Sequence, residues 1–270
     1  MEEALRERVN AITWHHAIDL GNGIVTPGRA GLAAGMPLGT LPDFSERSVL
    51  DIGAWDGYYS FAAERGGATS ITALDHYAWG VDLKARDVYW DQCRAQGTLP
   101  EHDRDDTDFW LPDLPGQSGF NLAREVLGSK VEPKVGDFMK IDLDELGVFD
   151  VVLYLGVLYH IKEPLTAMER VRKVTREVAV IETEAVWLRG LEDTELMLFY
   201  PGTELNNDFG NWYVPNERAL HGLCRAAGFS RVETTIGPPH IGPRTQAKRL
   251  AKGNPMLKKL NYRIVVHAFP

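Results

Sequence analysis

Val49-Leu50-Asp51-Ile52-Gly53-Ala54-Trp55-Asp56-Gly57-Tyr58-Tyr59-Ser60-Phe61 reads as a buried strand that ends in an acid, a glycine turn, and the opening of a helix. Glycine lets the backbone approach a ligand closely. Asp51 is placed to fix the turn or to reach a ligand's ammonium group through water. The glycines stand at i and i+4, so this is not the G-x-G-x-x-G of dinucleotide binding. An ordinary strand–turn–helix junction is the plain alternative.

Outward from this stretch, short apolar strands alternate with helices. Strands are expected at Ser48–Ile52, 70–74, 131–135, Phe149–Leu155, 177–183, Arg231–Ile236 and 262–269. Helices are expected at 2–14, Tyr58–Arg65, 81–96, 121–127, Pro164–Val174 and 216–227. Gly- and Pro-rich residues 21–43 read as a loop or lid, and insertions are expected at 97–116 and 185–214. Such alternation gives a parallel, doubly wound sheet with helices on both faces. Ligands then sit outside the carboxyl ends of the strands. The last two strands lack a connecting helix, which permits an antiparallel pair. Residues 1–47 are expected as an N-terminal helix and lid loop, and 48–270 as the main domain, in a single structural unit.

The chain has 270 residues, enough for a large core without staples. Its formal charge of −9 argues against a broad nucleic-acid-binding face, which needs clustered Lys and Arg. Cys93 and Cys224 have no metal-ligand spacing and read as buried helix residues in a reducing compartment. The charged N-terminus does not read as a signal peptide, and no stretch reads as a membrane span, so a cytoplasmic location is expected.

Three further motifs carry chemistry. Asp75 ends the second strand, about twenty residues after the glycine turn, where a carboxylate suits both hydroxyls of a ribose. Gly136-Asp137-Phe138 follows the third strand, where the acid suits an adenine amino group and the aromatic covers the ring. In Gly156-Val157-Leu158-Tyr159-His160-Ile161-Lys162-Glu163-Pro164-Leu165 a central strand delivers Tyr159 and His160 to its carboxyl end. Histidine there suits a general base, although a lone histidine is more often structural.

Together these motifs resemble the class I S-adenosylmethionine-dependent methyltransferases, and within them the tRNA wobble-uridine carboxymethyltransferases and their relatives. Asn211-Trp212-Tyr213-Val214-Pro215, Ala227-Gly228-Phe229 and Trp14-His15-His16-Ala17-Ile18 support the likeness, which spans about residues 12–237. It implies a Rossmann-like α/β fold with a seven-stranded sheet, one strand antiparallel. It also implies S-adenosylmethionine over Asp51, Gly53, Trp55, Gly57, Asp75, Asp137, Phe138 and Gly156. Two departures matter. Trp55 stands where the family has glycine. The carboxymethyltransferases also place a carboxylate-clamping lysine before the first strand, whereas the first lysine here is Lys84. Arg6, Arg8, Arg29 and Arg47 sit in no matching motif, so ordinary S-adenosylmethionine is the expected donor.

The expected activity is O-methylation of a small hydroxylated metabolite, a saccharide by preference. A tRNA wobble-uridine modifier and a non-catalytic cofactor-binding protein are the alternatives. His160 is the first choice of base and His16 the second, with Tyr159 as orienter. Trp14, His15, Tyr200, Trp212 and Tyr213, with Phe109, Trp110 and Phe199, are candidate substrate walls, core packing being the alternative for about half of them. Glu182 and Glu184 share a strand face, so with Asp208 or His160 they could hold Mg²⁺. The basic residues Arg244, Lys248, Arg249, Lys252, Lys258 and Lys259 read as a solvated loop. The expected partner is a small molecule, with nucleic acid and membrane disfavoured and a homodimer the candidate assembly.

Overall fold

The computed structural model describes residues 2–31, 37–239 and 258–270. Seven strands form the main sheet: β1 (Ser48–Ile52), β2 (Ser70–Asp75), β3 (Glu132–Val135), β4 (Phe149–Leu155), β5 (Thr175–Leu188), β6 (Arg231–Ile236) and β7 (Lys259–Phe269). Their order across the sheet is β6-β7-β5-β4-β1-β2-β3. β1, β2 and β3 pair in parallel, and β7 runs antiparallel to both β6 and β5. The expected mostly parallel sheet with one reversed strand is therefore present.

Burial follows strand position. Val151–Tyr154 of β4 are fully buried, as both faces of a central parallel strand must be. β6, at one edge, alternates exposed and half-buried residues, and β3, at the other, tolerates Pro133 because an edge strand has no neighbour to satisfy there.

The longer helices are α1 (Glu2–Asn10), α2 (Tyr58–Arg65), α3 (Leu83–Gln96), α4 (Ser118–Leu127), α5 (Pro164–Val174) and α6 (Glu217–Ala226), with single helical turns at Tyr77–Gly80 and Leu143–Leu146. Several boundaries differ from expectation, each for a local reason. α1 stops at Asn10, and Trp14 instead donates its indole N–H to the Val9 carbonyl. α3 starts two residues late because Asp82 caps it, accepting from the Ala85 N–H at 3.0 Å. β5 continues through Leu188, five residues past the expected strand end, because β7 pairs with it over that length. The second insertion thus begins after Leu188. Of the basic stretch, Arg244 to Lys252 lie outside the described residues, while Lys259 opens β7.

By its internal contacts the chain divides into two compact units. One comprises residues 1–153 and 174–177, the other 154–173 and 178–270. In the first, Asp150 accepts from both the N–H and hydroxyl of Ser48 and pairs with Arg176, tying the starts of β1 and β4. Those bonds hold its carboxyl down, at about 2. In the second, Val186, Tyr200, Leu205 and Val214 form a core beneath a hairpin of Met197–Phe199 and Tyr213–Pro215.

Candidate active site

In the first unit the turn after β1 is built by backbone geometry. Gly53 and Gly57 have φ of 77° and 81°, and the Gly53 N–H donates to the Leu74 carbonyl at 2.8 Å. Trp55 also adopts positive φ, 48°, a conformation that bulky residues rarely take. Two contacts hold it there: its N–H donates to Asp75 Oδ2 at 2.9 Å, and its carbonyl accepts from the Trp79 indole at 2.7 Å. The indole of Trp55 stacks on His15, centroids 4.1 Å apart. The residue that departs from the family's glycine is thus clamped from three sides.

Asp75 lies buried at the end of β2. Its second oxygen accepts from the Ala78 N–H at 2.9 Å, and the His76 N–H adds a further backbone bond to the carboxylate. Asp51 is buried at the neighbouring strand end and accepts from Ser60 Oγ at 2.6 Å. Burial pushes both carboxyls up to about 6, and the charge of Asp75 adds to the rise at Asp51. No lysine or arginine bonds either acid among the described residues. Such a pair fits a ligand that brings positive charge and hydroxyl donors, as S-adenosylmethionine does. Asp137 accepts from the Met139 N–H and meets Lys140 at 3.2 Å, and Phe138 is buried.

His16 is buried against Tyr58, rings nearly parallel with centroids 5.5 Å apart. Sequence reasoning passed over its anchor, Asp56, which lies inside the opening motif. Asp56 is 1% exposed, and its Oδ2 accepts from the backbone N–H of both His15 and His16, at 2.6 and 2.8 Å.

In the second unit, Gly156 turns the chain at φ 74° and its N–H donates to the Glu182 carbonyl at 2.9 Å. Tyr159 and His160 follow in a single 3₁₀ turn, Leu158–His160. His160 is exposed, and its Nδ1 lies 2.8 Å from the Gly210 carbonyl. The Tyr159 carbonyl accepts from the Trp212 N–H at 2.8 Å, which fixes the 211–215 segment beside this turn. Burial pushes the Tyr159 phenol up, while Arg263 beside it pulls the other way. Tyr200 packs into the core and its hydroxyl meets Lys259 at 2.5 Å, whereas Trp212 and Tyr213 face the exposed ring of Phe199.

The Mg²⁺ expectation fails. Glu182 and Glu184 do share a face of β5, but that face is taken by Arg263 of β7, which pairs with both. Asp208 accepts from the Gly210 N–H instead. No group of three His, Cys, Asp or Glu residues among the described ones could hold a metal. Arg263 was missed because it looks like any polar position of an alternating strand; only the pairing of β7 with β5 reveals its partners.

A family model described as a methyltransferase domain matches residues 32–234, well over half of the chain. Curated relatives include tRNA U34 carboxymethyltransferases from Idiomarina loihiensis, 24% identical over 71% of this chain, and from Colwellia psychrerythraea, 25% identical over 71%. The chain spans about half the length of these relatives, 48% and 47% respectively. Among solved structures, the N-terminal domain of EvdMO1 in the presence of SAH and D-fucose superposes with a TM-score of 0.59 at 17% identity, covering 99% of this chain and 96% of that one. No helix among the described residues is long and apolar enough to cross a membrane.

Proposed function

The chain belongs to the class I S-adenosylmethionine-dependent methyltransferases, and on that premise we propose that it methylates a hydroxyl group of a small, uncharged metabolite, a saccharide by preference. The observation that carries this reading is the bond between His160 Nδ1 and the Gly210 carbonyl. It selects the tautomer whose Nε2 lone pair can accept a hydroxyl proton.

Asp51, Asp75 and the Gly53–Gly57 backbone would hold the cofactor, with Asp137 and Phe138 at its adenine end. When bound, the cofactor supplies an electrophilic methyl group. The chain's own work is then to orient the acceptor and receive its proton at His160 Nε2, an effect typically of 10²–10⁴-fold. Tyr159 orients, and Trp212 and Tyr213 wall the acceptor. The EvdMO1 structure with D-fucose supports the saccharide preference.

The curated relatives favour a second reading, modification of the tRNA wobble uridine. Against it stand the charge of −9 and the acids between Glu101 and Asp113, which repel a phosphate backbone. Two of those acids are answered locally, Asp106 by His76 and Lys140 and Asp108 by Arg104. The deciding experiment gives the full chain methyl-labelled donor with a saccharide panel and bulk tRNA together. Label in the small-molecule fraction, with tRNA binding no tighter than about 10⁻⁵ M at physiological salt, supports the first reading. Label in the RNA overturns it.

A further inference from the structure

The first unit contains an aromatic contact that the cofactor and acceptor roles above do not use. Trp110, in the insertion after α3, pairs antiparallel with Val81. Backbone bonds flank it: the Asp82 N–H donates to the Phe109 carbonyl and the Leu111 N–H to the Gly80 carbonyl, each at 2.7 Å. The Trp110 ring stacks on His76, centroids 4.5 Å apart. It also lies on Gly80, where a Cβ would stand 1.9 Å from Cζ3 and 2.2 Å from Cη2, so only glycine admits the ring. Farther along the insertion, a Cβ at Gly116 would stand 1.9 Å from the Ala78 carbonyl oxygen. His76 Nε2 lies 2.9 Å from Asp106 of the same insertion, which Lys140 also bonds.

These contacts converge on His76 and the single helical turn Tyr77–Gly80, and that segment holds Asp75. The Ala78 N–H donates to Asp75 Oδ1 at 2.9 Å, and the His76 N–H adds another bond. The fully buried Trp79 donates its indole N–H to the Trp55 carbonyl, and the Trp55 N–H donates to Asp75 Oδ2. The ribose acid is therefore set by Trp55 and by the segment from His76 to Trp79. A four-residue helix does not support itself, because its nucleus costs more than its few bonds return, and no side chain caps its start. Its shape has to come from packing. Trp79 supplies part of that against Phe120, centroids 5.2 Å apart. The insertion supplies more, through Trp110 and Gly116.

A binding carboxylate serves its ligand only while its support holds it to within about 0.5 Å. We propose that the insertion is a buttress for the ribose acid, and that Trp110 is a positioning residue acting on Asp75 through His76 and Gly80. What it serves is recognition of the cofactor's two ribose hydroxyls, both donors to a carboxylate. This rests on the reading that Asp75 receives the ribose and names what sets its orientation.

The test titrates the full chain with S-adenosylhomocysteine and with its 2′,3′-dideoxy analogue, which lacks both ribose hydroxyls. Wild type should bind the parent at least about tenfold more tightly, the scale of one hydrogen bond to a charged group. Asp75→Ala should erase that ratio. Trp110→Ala should weaken the parent about tenfold, leave the analogue near its wild-type affinity, and so bring the ratio toward one. Trp110→Phe, which returns a ring to His76 and Gly80, should recover most of it. A merely structural Trp110 would lower the melting temperature and weaken both ligands alike, and an unchanged ratio overturns the proposal. If Asp75→Ala erases the ratio while Trp110→Ala keeps it, the buttress alone falls. If Asp75→Ala keeps the ratio, or wild type shows none, the ribose reading falls and the buttress with it. Should Trp110→Ala not fold, Trp110→Leu, which keeps apolar volume without the stack, is read by the same ratio.

Discussion

His160 Nδ1 lies 2.8 Å from the carbonyl oxygen of Gly210. A carbonyl can only accept, so Nδ1 carries the proton of the neutral ring and the basic lone pair belongs to Nε2. His160→Ala should therefore keep its affinity for S-adenosylhomocysteine while kcat falls by about 10²–10⁴-fold. Calorimetry beside a labelled-methyl assay checks both halves. Wild-type turnover in the variant would pass the base role to His16, whose segment Asp56 anchors.

Asp75 is expected to receive the ribose through the acceptor capacity that its backbone bonds leave open. Asp75→Ala should weaken cofactor binding by roughly 1.5–3 kcal/mol, the cost of losing hydrogen bonds to a charged acceptor. It should also lower the melting temperature, since the buried N–H groups of Trp55 and Ala78 lose their acceptor. Unchanged cofactor affinity, measured by calorimetry, would remove Asp75 from the site.

Asp51 and Asp75 make the cofactor-free chain pH-sensitive. Burial lifts both carboxyls to about 6, above the 3.8 of the free acid. Between those values the folded chain binds more protons than the unfolded one, so stability falls as pH rises from about 4 to about 6. A rise of this size corresponds to about 3 kcal/mol per acid. Asp51→Asn keeps an acceptor for Ser60 and removes its share. Melting curves at about pH 5 and about pH 7 should therefore differ less for the variant than for wild type. Equal differences would exclude the assignment.

Gly57 caps α2 at φ 81°, and a Cβ there would stand 2.7 Å from the rings of Phe61 and Phe120. Both faults act together in Gly57→Ala: a left-handed backbone without glycine and overpacking of a buried site, worth typically about 1–3 kcal/mol. Urea denaturation should show a loss of at least about 2 kcal/mol. A loss well under 1 kcal/mol would mean that the turn can re-form.

Ordinary S-adenosylmethionine should bind at least as tightly as its carboxylated analogue. No lysine precedes Lys84, and the guanidinium beside Tyr159 already serves two glutamates. An extra carboxylate would lack a partner in an enclosed place. A competition experiment that strongly favours the carboxylated donor would contradict this and strengthen the tRNA reading.

Local rules were enough to find the elements. The run from Val49 to Phe61 declares strand, turn and helix because apolar spacing and glycine placement act within a few residues. The same holds for Phe149–Leu155 and for Gly128, the glycine that ends α4, whereas Asp82 and Asn216 read as helix residues and act as caps. The candidate residues Asp51, Asp75, Tyr159 and His160 were legible for the same reason: each stands at the end of a strand whose sequence announces it. Tertiary structure decided what those residues face. Glu182 and Glu184 look like metal ligands until β7 pairs with β5 and brings Arg263 onto them from 79 and 81 residues away. Asp56 reads as a turn residue until the chain brings His15 and His16 back to it, across 41 and 40 residues. Charge partners are set by Coulomb attraction over a few ångströms of space, and separation along the chain does not report that distance. Periodicity in the sequence therefore gave the strand ends, while the neighbours that set their charge and bonding exist only once the sheet has closed around them.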